Sequence, residues 1–168
     1  MQLSMYQASA PRLVNVLTNL SALLKKAETH AEAKKIEPSV LLSGRLFPDM
    51  FALTRQVQIA CDNAKGTVAR LAGVDIPKHE DTETTFAELQ ARIAKTIAFI
   101  QSIKPEQIDG SDNKDILLKA GTEEIPFKGM EYLLGFAYPN FFFHVITAYN
   151  ILRHNGVEIG KKDYLGMR

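Results

Sequence analysis

Residues 132–152 read YLLGFAYPNFFFHVITAYNIL and carry no formal charge. Inside this stretch Asn140 and His144 stand four residues apart. On a helix that spacing puts them on one face, one turn above the other. The stretch therefore reads as a helix, apolar on most sides, that aims one polar pair in a single direction. Burying an imidazole or amide without partners costs a few kcal/mol, so the pair needs partners on a neighbouring helix. The length raises the question of a membrane span. Pro139, Asn140, His144 and Asn150 lie within it, however, and no second span exists to shield them. It reads instead as the central helix of a soluble bundle, with apolar surface left over for a contact between two copies.

Three further apolar stripes lie upstream. Leu13, Val14, Val16, Leu17, Leu20, Leu23, Leu24 and Ala27 recur at helical spacing, predicting a helix over 9–28 that ends in the polar run from Glu28 to Lys35. Met50, Leu53, Val57, Ala60, Cys61, Ala64, Val68 and Leu71 form a near-heptad stripe, predicting a helix over 49–72 stopped by Gly73. Thr85 and Glu88 form a capping box ahead of Phe86, Leu89, Ile93, Ile97 and Ile100, predicting a helix over 85–103 that stops at Lys104-Pro105. The polar loop 75–84 contains His79, which reads as solvated.

Between the third and fourth stripes the period changes. Ile116-Leu117-Leu118 and Ile125-Pro126-Phe127 flank the turn material Ala120-Gly121, predicting a short hairpin or pair of extended arms, with Pro126 on an edge. The fourth helix is predicted over 128–155, irregular at Pro139 and stopped by Gly156. The tail from Val157 lacks periodicity. The expected fold is all-α: a four-helix bundle with a small β insertion between helices 3 and 4, forming a single domain over 1–168.

Bulk properties narrow the function classes. A net charge of +1, with Lys and Arg scattered, gives no reason to expect nucleic acid or an acidic membrane as partner. Cys61 is the sole cysteine, so no internal disulfide forms, which fits a reducing cytoplasm. No basic segment precedes an apolar run at Met1, so no signal peptide is read there. There is no phosphate-binding glycine loop, nucleophile elbow or paired-cysteine motif. His144 and His154 lie ten residues apart, roughly 80° around a helix, and make a poor metal pair. His144 alone reads as a ligand, a general base, or a core histidine bonded to a neighbouring helix.

The order helix, helix, helix, hairpin, helix resembles the DinB/YfiT-like superfamily. Residues 51–62 (FALTRQVQIACD), 140–156 (NFFFHVITAYNILRHNG) and 160–166 (GKKDYLG) resemble one branch of it, the domain-of-unknown-function family nineteen-ninety-three. In metal-binding members of the superfamily three histidines converge, one from the second helix and two, four apart, from the last. The resemblance carries those positions onto Gln58, Asn140 and His144, of which only one is a histidine. It thus implies a degenerate pocket lined by these three residues, with no metal cofactor. Amides are poor ligands for zinc or nickel. The expected role is non-catalytic: binding of a small molecule, or interaction, by a cytoplasmic homodimer. The alternative is a metal-dependent enzyme of the thiol-transferase or isomerase type, holding zinc or nickel, with His144 as ligand or general base and Asn140 orienting the substrate.

Overall fold

The computed structural model describes residues 3–120 and 122–167. Four long helices dominate: α1 (Ala10–Lys34), α2 (Leu53–Ala72), α3 (Phe86–Ser102) and α4 (Tyr138–His154). The expected count of four is nonetheless exceeded, because short helical segments also form at Met5–Ala8, Pro38–Leu42, Pro105–Ile108, Gly129–Glu131 and Lys161–Leu165. The last of these lies in the tail, where no period was legible. One antiparallel pair, β1 (Asp115–Ala120) and β2 (Glu123–Lys128), makes a two-stranded sheet. Ile116 pairs with Phe127 and Leu117 with Pro126. Ile116 and Leu118 turn inward while Leu117 is exposed, the alternation a pleated strand imposes. Gly121, read as turn material, lies outside the described residues.

Local chemistry explains the ends. α1 runs past the expected stop at residue 28, because Ala27 and Ala31 continue its buried stripe and Glu28, Glu32, Ala33 and Lys34 favour helix. It closes at Lys35, the one non-glycine with positive φ among the described residues. The capping box at the start of α3 forms as read, Thr85 bonding the Glu88 amide and Glu88 reaching back. Gly73 ends α2 in the left-handed conformation.

The irregularity of the last helical region falls upstream of Pro139. Tyr132–Ala137 is a π-helical turn, and the Tyr138 amide donates to the Leu133 carbonyl. Proline has no amide to give and its ring crowds the carbonyl four residues back. The wider turn ahead of Pro139 relieves that crowding, and α4 then proceeds with Pro139 in its first turn.

The largest departure from expectation concerns which helix is central. α2 packs against both α3 and α4 and touches α1. All its residues are buried or half-buried. α4 buries Phe141, His144, Val145, Ala148, Ile151 and Leu152, yet exposes Phe143 and Ile146. The helix that carries most of the uncharged stretch is thus peripheral on one side, and the more polar α2 occupies the middle. Among the described residues no helix is long and apolar enough to cross a membrane.

Candidate functional site

α2 sends amides and charges in two directions. Gln56 is 1% exposed and points toward α4. There its Oε1 lies 2.7 Å from His144 Nδ1, while its Nε2 donates to the Phe51 carbonyl at 3.0 Å. Gln58 lies two residues further on, about 200° around the helix. Its Nε2 donates to Glu83 at 2.8 Å, and its Oε1 accepts from Arg55 at 3.3 Å. The amide bonded to His144 is therefore Gln56, a residue the sequence reading passed over, and Gln58 is engaged elsewhere. Asn140 is half-buried, one turn before His144 on α4.

His144 is 8% exposed. Burial lowers its pKa below the ordinary imidazole value, and the nearby Arg55 guanidinium lowers it further. Neutral imidazole carries one N–H and one acceptor nitrogen. An Nδ1–H donated to the Gln56 carbonyl oxygen leaves Nε2 as the acceptor. Phe143 meets the imidazole edge-on at 5.3 Å between centroids. The arrangement is an oriented imidazole whose neutral form is favoured, with the Asn140 amide one helical turn away and the Arg55 guanidinium nearby.

The other side of α2 faces a polar cluster. Arg92 of α3 is 3% exposed. Its guanidinium pairs with Asp62 at 2.8 Å, Asp81 at 2.9 Å and Glu83 at 3.0 Å, and also donates to the Glu80 carbonyl at 3.0 Å. Lys65 pairs with Asp62 at 2.7 Å, and Arg55 pairs with Asp81. Burial alone would raise the Glu83 carboxyl, but the bonds from Gln58 and Arg92 outweigh it and hold the pKa below the usual value. One guanidinium thus straps the 80–83 segment onto α2 and α3.

His79, expected to be solvated, is half-buried beside this cluster. Its Nδ1 is shut from solvent and has no partner among the described residues. Burial, then Lys65, Lys95 and Arg92, lower its pKa. Cys61 is fully buried, and its thiol is pushed up to about 12, chiefly by burial. That is a core thiol rather than a nucleophile.

The metal that the superfamily implies does not suit these residues. Where it would sit, the side chains offer one imidazole, already hydrogen-bonded through Nδ1, and carboxamides that zinc and nickel take poorly. Among the described residues no group of three or more His, Cys, Asp or Glu is gathered so as to hold a metal ion.

No curated protein matches the chain. A crystal structure of a DinB family member protein from Shewanella denitrificans is similar, with TM-score 0.87 and 44% sequence identity. The match covers 97% of this chain and 92% of that one. The family described as Domain of unknown function (DUF1993) matches residues 5–165. Since that match takes in nearly the whole sequence, the chain belongs to the DUF1993 family.

Proposed function

We propose that this chain is a four-helix bundle with a non-catalytic role, binding a small molecule or partner at a degenerate metal pocket that the resemblance places at Gln58, Asn140 and His144, with Gln56 as the amide that meets His144. The observation that carries the reading is the 2.7 Å contact between His144 Nδ1 and Gln56. An imidazole committed in this way orients a ligand by its remaining nitrogen, with the Asn140 amide one turn away to read a second polar group. We place the protein in the cytoplasm as a homodimer. Support for the dimer comes from the apolar side chains that α4 and the preceding turn leave uncovered: Leu134, Phe143 and Ile146.

The test is metal analysis of protein purified without a metal-affinity step, followed by equilibrium dialysis against zinc and nickel. The expected outcome is no stoichiometric metal and no tight uptake. Stoichiometric tight metal would overturn the reading and favour the metal-dependent thiol-transferase or isomerase alternative, with His144 as ligand. Two rebuilt variants locate the pocket. Asn140→His with Gln58→His restores the three-histidine pattern the resemblance implies, and Asn140→His with Gln56→His restores it on the residue that meets His144. Metal uptake by the first variant supports Gln58 as a pocket residue. Uptake by the second alone moves that position to Gln56.

A further inference from the structure

A separate feature lies further along α2. A Cβ at Gly66 would come within 2.7 Å of Arg70 Nη1. The Arg70 guanidinium lies back along its own helix, over Gly66. It donates to the Tyr132 hydroxyl at 3.0 Å and sits 5.8 Å from the centre of that ring. Tyr132 is 1% exposed and opens the π-helical turn, so the anchor is rigid. Arg70 is thus held where it lines a hollow of about 520 Å³ between α2 and the segment 76–80.

Lys65 and Lys78 line the same hollow, as do the carboxylates of Asp62 and Glu80. Asp62 is already shared between Lys65 and Arg92. With Lys65 and Asp62 paired to each other, Arg70 and Lys78 face one remaining carboxylate, Glu80, so cation exceeds carboxylate there. His79 also lines the hollow, with its buried Nδ1 unpartnered among the described residues. A buried polar atom without a partner is uncommon and calls for one. Burial, and after it the surrounding cations, lower the imidazole's pKa and so favour its neutral form, one tautomer of which donates an N–H from Nδ1.

We propose that this hollow binds a small molecule through an oxyanion, a phosphate or carboxylate group, held by Arg70 and Lys78 with His79 Nδ1–H as a further donor. Arginine suits the role because its planar fork presents paired donors to an oxyanion, and the bond to Tyr132 uses only part of that fork. The volume falls in the range of small-molecule sites and exceeds a bare anion, so the oxyanion belongs to a larger body that rests against Ile76 and Pro77. This site is distinct from the His144 pocket and does not depend on it.

The experiment follows the His79 imidazole by NMR in the full chain, titrated with inorganic phosphate, with acetate, and with chloride at matched ionic strength. Saturable shifts with phosphate or acetate and none with chloride are expected, and the stronger of the two names the oxyanion. Arg70→Gln and Lys78→Gln should each weaken binding about tenfold. Lys78 is exposed, so its variant keeps the test valid if Arg70→Gln disturbs the fold. The absence of a saturable shift in the parent, or equal affinity in parent and folded variants, would overturn the proposal.

Discussion

α2 carries Gln56, Gln58, Asp62, Lys65 and Thr67, and every one of its residues is buried or half-buried. α4 and the turn before it carry no charge from Tyr132 to Leu152, yet they show Leu134, Phe143 and Ile146 to the outside. The contrast separates two quantities that composition alone confounds. Burial of a polar helix is tolerable when each group finds a partner, as Gln56 does in His144 and Asp62 does in Lys65 and Arg92. An apolar helix is buried only as far as its neighbours reach, and α2 covers one side of α4.

The largest expected break in this contrast comes from Arg92→Leu. It removes the cation shared by Asp62, Asp81 and Glu83 and frees the 80–83 segment. The two aspartates keep some solvent contact, which softens the loss. Stability measured by urea unfolding should fall by about 2–4 kcal/mol, at or below the cost of stranding a fully buried partner. A loss below about 0.5 kcal/mol, the scale of an ordinary surface change, would mean that α2 tolerates its polar face without this strap.

His144→Ala tests the opposite side of α2. It strands Gln56 Oε1 and opens a cavity, with an expected cost of about 1–4 kcal/mol. The same residue gives the pH dependence its sign. Its folded pKa is depressed, so the unfolded chain takes up the proton first as pH falls through 6.5. The stability it contributes is present above pH 6.5 and is lost as pH falls toward the folded value. His79 acts in the same direction. Unfolding midpoints between pH 5 and 8 should therefore rise with pH in the parent, and more shallowly in His144→Ala. An unchanged slope in the variant would show that His144 titrates alike in both states.

The smallest effect on folding should come from the exposed side of α4. Phe143→Ser and Ile146→Ser should each change stability by less than about 0.5 kcal/mol while weakening self-association in sedimentation equilibrium. A parent that sediments only as monomer would leave that face without the role given to it.

The long helices were legible because a buried stripe repeats along the chain, and the caps at Thr85 and Gly73 are local chemistry. The site was legible only in part. Asn140 and His144 share a face by spacing alone, but which glutamine meets them depends on how α2 is rotated against α4. A shift of two residues turns the helix by about 200°, and no local pattern reports it. Arg92 left a signal that went unused: it stands between Leu89 and Ile93 on the inward side of α3, where a charge calls for partners. Its partners Asp81 and Glu83 lie in a loop whose course depends on Arg92 itself, which is why that loop reads as merely polar.

Cys61 sits at the centre of α2, fully buried, with its thiol pushed up to about 12. A thiol so placed is silent toward alkylating reagents while the chain is closed, because only the exposed thiolate reacts. Being the sole cysteine, it gives the protein a clock of its own. The rate at which a reagent labels it under native conditions counts the openings of the innermost helix, and comparing that rate with global unfolding tells whether α2 is released alone or only with everything else.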